Sequence, residues 1–242
     1  GLVRRPPAQA PRQPEDLPAK NVLFMSSNGI GMGHLSQQLA IASRLPASLR
    51  PVFVTMCLSI RHVIEQGYLA HFIPYRTQLG ADDHHWNTVL AEEVFDLMAH
   101  HAPRVFLYDA TSVFDGVADA LHRFPDVVSI WVRRPMWREI HRPLLDLSDC
   151  FDAIIEPGEL AEEFDNGPTA PLRHTVYRVP PVLEVEPQDR YTGEVARLLL
   201  KLPDDLRIVA VQLGAGTNFD MQAIRGAIEV DRLEVGEARG RG

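Results

Sequence analysis

A histidine and three glycines follow the first apolar run of the chain, in the stretch NVLFMSSNGIGMGHLSQQLAIASRL. Gly29, Gly31 and Gly33 alternate in a turn, and His34 opens the helix that the Leu- and Ala-rich residues after it predict. Glycines let a ligand approach the backbone closely, and the free N–H groups at a helix start favour an anion or a polar oxygen. Because a histidine can exchange protons near neutral pH, His34 is a candidate general base.

A second candidate group ends another apolar run, RVFLYDA, in which Asp109 follows Val-Phe-Leu-Tyr. If both runs are parallel strands, their carboxyl ends share one edge of the sheet. Asp109 can then hold the imidazole of His34 in one tautomer, as the acid of a catalytic triad does. The alternatives are that Asp109 caps the following helix, and that His34 caps the turn or contacts a ligand without taking a proton. The residues alone leave both alternatives open.

Short apolar runs alternate with helical patterns from residue 21 onward, which predicts a doubly wound α/β domain built on a parallel sheet. The predicted strands cover residues 21–26, 51–56, 70–75, 104–110, 127–132, 152–157 and 175–180. The predicted helices lie near residues 34–45, 59–67, 87–101, 114–124 and 137–147. In open sheets of this kind ligands bind beyond the carboxyl ends of the strands, where the glycine turn and Asp109 are expected to lie.

Prolines and a second glycine turn indicate how the rest of the chain is organised. Residues 1–19 are rich in proline and are predicted to be a disordered leader. The doubly wound domain covers residues 20–183, and residues 184–206 are predicted to be a linker with a short helix. Residues 207–242 are expected to be the incomplete start of a second α/β domain. Its glycine turn contains Gly214, Gly216, Thr217 and Asn218.

Composition narrows the class of function. The net charge of -8 over 242 residues argues against nucleic-acid binding, which needs a cationic surface. No apolar run approaches the roughly 20 residues that cross a bilayer, and no secretory signal is recognisable, so a cytoplasmic protein is predicted. Cys57 and Cys150 form neither a disulfide framework nor a metal-ligand spacing, and no metal site is predicted.

Two nucleotide-binding motifs do not fit the first glycine turn. A P-loop ends in Gly-Lys-Ser/Thr, whereas this turn ends in Gly33, His34 and Leu35. The dinucleotide fingerprint requires a glycine where His34 stands and an acid at the end of the second strand. That strand ends in Thr55 and Met56, so NAD binding is disfavoured.

The stretch SSNGIGMGHLSQQLAIASRL resembles the first glycine loop of two-domain, GT-B type glycosyltransferases. The resemblance is strongest to family 28, which includes the bacterial peptidoglycan N-acetylglucosaminyltransferase and the diacylglycerol sugar transferases. Four further pieces follow in the family's order: RVFLYDATSVFDGVADAL, VVSIWVRRPMWR, FDAIIEPGE and VAVQLGAGTNFD. The resemblance implies that residues 20–183 are the acceptor-side domain and that residues 214–218 lie by the donor phosphates. The implied acceptor contacts in the first turn are Asn28, Gly29, Gly31 and Gly33.

Arg133, Arg134 and Trp137 follow the fifth predicted strand and complete the predicted site. Guanidinium groups at a strand end can pair with a phosphate of the acceptor or the donor, and Trp137 can stack on a sugar ring or an acyl chain. The alternative is an ion pair with Glu139 or Glu156, together with a tryptophan in the core.

The resemblance also implies a reaction. A hexosyltransferase of this kind moves a sugar from a nucleotide sugar, most simply a UDP-sugar, to a hydroxyl on a lipid, a glycan or a small molecule. It needs neither a metal nor a further cofactor, and it allows peripheral contact with the inner face of the membrane. Because the family's donor-binding signature lies downstream of residue 242, this chain alone is expected to be inactive. A non-catalytic binding or regulatory protein and a nucleotide-sugar 2-epimerase remain alternatives.

Overall fold

The computed structural model describes residues 20–27, 32–210 and 220–230. Its sheet contains seven strands, all parallel, in the order β3-β2-β1-β4-β5-β6-β7. The strands are β1 (Lys20–Ser26), β2 (Leu49–Thr55), β3 (Leu69–Phe72), β4 (Val105–Asp109), β5 (Val128–Val132), β6 (Ala153–Pro157) and β7 (Tyr177–Val179). All seven predicted strands are therefore confirmed, with small differences in their bounds.

The described residues also form seven α-helices, and those of the first unit that are named below pack on both faces of the sheet. The seven helices are α1 (Gly33–Ala42), α2 (Ile60–Glu65), α3 (Arg76–Leu79), α4 (Asp83–His101), α5 (Asp115–His122), α6 (Gly193–Leu200) and α7 (Met221–Val230). On one face Leu35 and Leu39 of α1 pack with Phe24 and Phe53 of the sheet. On the other face α4 and α5 pack against a second core that includes Trp131. The predicted doubly wound α/β fold is confirmed.

Helix α4 begins four residues before its predicted start, because the prediction overlooked an N-cap. The side chain of Asp82 accepts a hydrogen bond from the backbone N–H of His85 at 2.9 Å, which satisfies one of the free donors of the first turn. The apolar face of α4 is buried at Leu90, Val94 and Met98, whereas Val89 is 54% exposed.

The helix predicted near residues 137–147 is wrong in type. The structure has a 3-10 helix at Glu139–Leu145 with Pro143 inside it. Proline has no N–H to donate and disfavours the α conformation of the residue before it, so a regular α-helix cannot continue through this position. Further 3-10 turns occur at Ser148–Cys150, Glu162–Phe164, Ala170–Thr175 and Pro187–Asp189.

The strand order places a topological switch point between β1 and β4. Strand β1 is central, and its last residue, Ser26, is level with Thr55 of β2 on one side and with Asp109 of β4 on the other. The chain moves outward along the sheet from β1 to β3 and then returns to place β4 on the other side of β1. Open α/β sheets bind ligands in the crevice that this reversal leaves at the carboxyl ends of the strands.

The chain divides into two compact units between Leu202 and Pro203. Helix α6, the short helix predicted in the linker, belongs to the first unit, and α7 belongs to the second. Residues 207–210, where the second α/β domain was predicted to begin, form neither a strand nor a helix, and residues 211–219 lie outside the described residues. Within the ranges that the structure describes, no helix is both long and apolar enough to cross a membrane.

Candidate active site

His34 and Asp109 meet at the switch point. His34 is the second residue of α1, directly after the turn that leaves β1, and Asp109 is the last residue of β4. Nδ1 of His34 lies 2.6 Å from Oδ1 of Asp109, with the two side chains 13% and 0% exposed. An ionised carboxylate can only accept a hydrogen bond, so Nδ1 of His34 donates and Nε2 keeps its lone pair. This geometry leaves His34 able to take a proton through Nε2.

Burial dominates the electrostatics of Asp109. Loss of solvent raises the pKa of the Asp109 carboxyl above its ordinary value, and the hydrogen bond from His34 and the charges of His34 and Arg134 offset only part of this rise. Its second oxygen, Oδ2, is buried and has no hydrogen-bond partner among the described residues. A buried carboxylate with one free oxygen is costly for folding, which favours a functional reason for its presence.

Arg134 lies beside the His34–Asp109 pair, next to the first residue of α1. Its guanidinium lies so close to Gly33 that a Cβ added to this glycine would come within 2.8 Å of Nη2. Arg134 is half-buried and makes no hydrogen bond or ion pair with any residue in the described ranges. A cation that has no hydrogen bond or ion pair among the described residues, beside the first residue of a ten-residue helix and a buried His–Asp pair, is suited to an anionic or strongly polar ligand.

Gln38 is a site-forming residue that the sequence analysis missed. It lies on the buried face of α1, and its Nε2 donates to the backbone oxygens of Met25 in β1 and Leu107 in β4, at 2.7 and 3.4 Å. These bonds fix α1 across the switch point and therefore fix His34, one turn earlier in the helix. A polar residue at helical spacing between Leu35 and Leu39 was the available signal.

Arg133 and Trp137, which were predicted to bind the acceptor, are buried structural residues. Nη2 of Arg133 lies 3.0 Å from Oε2 of Glu156, and the two side chains are 1% and 2% exposed. Trp137 is 6% exposed and packs edge-on against Trp131, with ring centroids 5.9 Å apart. The ion pair with Glu156 and the core tryptophan, weighed as the alternative, are what the structure contains. Of the two arginines, only Arg134 reaches the switch point.

The remaining predicted site residues cannot be placed. Asn28, Gly29 and Gly31 lie outside the described residues, as do all four members of the second turn, Gly214, Gly216, Thr217 and Asn218. In the described part of the chain, no group of three or more His, Cys, Asp or Glu side chains is arranged to hold a metal ion. A cavity of about 420 Å³ lined by Arg50, Tyr68 and His101 lies near the amino ends of β2 and β3 and contains none of the predicted site residues.

Neither a protein-family model nor a curated protein matches the sequence. Solved structures do resemble it. A glycosyltransferase from Rickettsia africae ESF-5 is similar at a TM-score of 0.52 and 6% identity, over 77% of this chain and 51% of that one. MurG from Acinetobacter baumannii has a TM-score of 0.45 at 13% identity, over 58% of this chain and 42% of its own. UDP-GlcNAc 2-epimerase from Methanocaldococcus jannaschii, in complex with UDP-GlcNAc and UDP, has a TM-score of 0.45 at 10% identity. The match covers 64% of this chain and 44% of the epimerase chain.

At these identities the comparisons establish the fold alone. The chain spans between 42% and 51% of the lengths of these three structures. The likeness to the Rickettsia glycosyltransferase, together with the seven-stranded parallel sheet, confirms the predicted resemblance at the level of the fold: residues 20–202 have the architecture of a GT-B glycosyltransferase domain.

Proposed function

We propose that this chain supplies the acceptor-side domain of a glycosyltransferase in which His34 is the general base. The observation that carries the proposal is the 2.6 Å contact between Nδ1 of His34 and Oδ1 of Asp109 at the switch point. The pair is buried at the carboxyl edge of the sheet, where a substrate would bind, and its free ring nitrogen is the one that can accept a proton.

The proposed reaction transfers a sugar from a nucleotide sugar, most simply a UDP-sugar, to a hydroxyl group. Nε2 of His34 takes the proton of the acceptor hydroxyl while the hydroxyl oxygen forms a bond to the anomeric carbon. The bond between that carbon and the donor phosphate oxygen breaks, and the nucleoside diphosphate leaves with the bonding electrons. Asp109 keeps Nδ1 protonated throughout and stabilises the imidazolium that forms. The likeness to an epimerase solved with UDP-GlcNAc and UDP is compatible with a nucleotide-sugar donor.

Substitution of His34 tests the proposal in the natural full-length protein. UDP release from a panel of UDP-sugars is measured with lipid, glycan and small-molecule hydroxyl acceptors. His34→Ala should lower kcat by about 10²–10⁴-fold with donor affinity little changed, which is the effect of a lost general base. Asp109→Asn should cost less, because only the tautomer and the orientation of the ring are disturbed.

A surface histidine provides the matched control. Nδ1 of His85 also contacts a carboxylate, Oδ2 of Asp82, at 2.5 Å, but the two side chains are 80% and 62% exposed. His85→Ala should leave turnover unchanged. Near-normal turnover in His34→Ala would refute the base assignment, and acceptor-independent interconversion of two UDP-sugars would favour an epimerase instead.

The tautomer can be measured without any substrate. Nitrogen-15 NMR of the histidine rings should show His34 protonated at Nδ1 and unprotonated at Nε2 when the ring is neutral. The opposite tautomer would remove the role proposed for Asp109, and it would leave Nε2 unable to accept a proton.

A further inference from the structure

We propose that Asp165 is a positioning residue that holds the turn at residues 133–137 in the shape that places Arg134 over Gly33. The contacts of the turn determine where Arg134 lies. Its use in binding an anionic group of the acceptor rests on the proposed function.

The turn that carries Arg134 is anchored on both sides of this residue. The backbone N–H of Arg133 donates to the oxygen of Ile155 at 2.9 Å, and its side chain is paired with Glu156. Pro135 fixes one backbone angle and favours an extended conformation for the residue before it, which is Arg134. The strand side of the turn is therefore held by β6.

Asp165 anchors the other side. Its Oδ2 accepts a hydrogen bond from the backbone N–H of Met136 at 3.2 Å and another from Nη2 of Arg173 at 2.7 Å. Its Oδ1 accepts from the backbone N–H of Gly167 at 3.0 Å, and the side chain is only 1% exposed. Met136 has a φ of 65°, a left-handed conformation that a side chain of this kind rarely adopts. Such a conformation persists only where the surroundings enforce it, and Asp165 bonds directly to the N–H of the strained residue.

Gly167 shows how closely the two segments fit. A Cβ added to Gly167 would lie 1.8 Å from the backbone oxygen of Trp137, so only glycine allows this approach. Trp137 itself is buried against Trp131. The segment around Asp165 thus packs tightly against the turn by a backbone contact as well as by a charged hydrogen bond.

Arg134 is the charged side chain of this turn that has no partner among the described residues. Arg133, Met136 and Trp137 are each held by β6, by Asp165 or by the core, whereas Arg134 has no hydrogen bond or ion pair within the described ranges. Its charge reaches Asp109, whose ionised form it favours. A guanidinium that is held over Gly33 and has no partner among the described residues suits an acceptor with a phosphate or carboxylate group near the reacting hydroxyl.

The position of Arg134 can be read from the pKa of the Asp109 carboxyl, measured by carbon-13 NMR. Arg134→Ala should raise that pKa, because it removes a charge that favours the carboxylate. Asp165→Ala should raise it by at least half as much, because the turn relaxes and Arg134 moves away. The direct effect of losing the negative charge of Asp165 has the opposite sign, since removal of an anion favours ionisation of Asp109. The double variant should show no larger rise than Arg134→Ala.

Glu162→Ala is the matched control. Glu162 contacts Arg173 and Arg178 in the same network but has no contact with Met136 among the described residues. It should leave the pKa of Asp109 where it is or lower it. An unchanged or lowered pKa in Asp165→Ala would overturn the proposal, as would the absence of a rise in Arg134→Ala.

A measurement on the wild-type protein covers the case in which Asp165→Ala does not fold. The amide of Met136 should exchange with solvent much more slowly than that of Arg138, whose backbone N–H donates no hydrogen bond within the described residues. Equal exchange of the two amides would overturn the proposal. Neither readout requires turnover, so a failure to transfer sugar would count against the proposed function and not against the role of Asp165.

Discussion

Replacement of Arg133 or Glu156 tests whether the buried ion pair is structural. Removal of one member of a buried pair leaves the other charge uncompensated and costs about 3–5 kcal/mol. Glu156 also lies 3.7 Å from Nε of Arg173, which is 22% exposed, so Arg133→Met leaves the carboxylate a second cation and should cost about 3 kcal/mol. Glu156→Gln leaves Arg133 without another acid within ion-pair distance in the described residues and should cost about 5 kcal/mol.

These free energies are large enough to measure by thermal unfolding. In a domain of this size each kcal/mol lowers Tm by about 2–4 °C, so we expect a decrease of roughly 6–12 °C for Arg133→Met and roughly 10–20 °C for Glu156→Gln. The double variant Arg133→Met/Glu156→Gln should lose less than the sum of the single losses, because it buries no unpaired charge.

An exposed pair is the control for this experiment. Arg61 and Glu65 are 87% and 48% exposed, and Arg61→Met should change the free energy of unfolding by no more than about 1 kcal/mol. A Tm for Arg133→Met within about 2 °C of wild type would contradict the structural role. Arg133 would then again be a candidate for binding the acceptor.

In the full-length protein, Arg134→Ala should raise the acceptor KM while leaving stability nearly unchanged.

Three further predictions concern stability. Burial raises the pKa of Asp109, so the contribution of this carboxyl to stability should fall as the pH rises above about 4; Asp109→Asn should melt at or above the wild-type temperature at pH 7, and a clear decrease would contradict this expectation. Nε2 of His71 lies 2.8 Å from Nε2 of His101, and burial lowers both pKa values, so the contribution of this pair to stability should be lost as the pH falls below about 6.5. His71→Gln should reduce the difference in Tm between about pH 7.5 and about pH 5.5, and an unchanged difference would argue against the pair. Gly116→Ala should cost about 1–3 kcal/mol in urea unfolding, because its Cβ would lie 2.3 Å from the backbone oxygen of Asn87; wild-type stability would show that α4 and α5 can separate freely.

The sequence by itself determined the sheet and one pair of site residues. Strands buried on both faces are continuous apolar runs, so the inner strands such as β1, β2 and β4 could be located without knowledge of their neighbours. Parallel strands have their carboxyl ends at one edge, which is why His34 and Asp109, 75 positions apart, could be expected to meet. The helix predicted near residues 137–147 was wrong because the pattern of apolar residues outweighed Pro143 in the prediction.

The tertiary structure decided which of two adjacent arginines belongs to the site. Successive side chains of an extended segment point to opposite faces, so the two arginines that follow β5 were expected to separate, but nothing in the sequence says which face α1 covers. Strand β6 pairs with β5 so that Ile155 is level with Val132, and this brings Glu156 beside Arg133 on the face of Trp131. Arg134 is left on the face of α1, against Gly33. The contact of Asp165 with Met136 also depends on the tertiary structure. It joins two loops whose residues are 29 positions apart and carry no periodic pattern that could predict it.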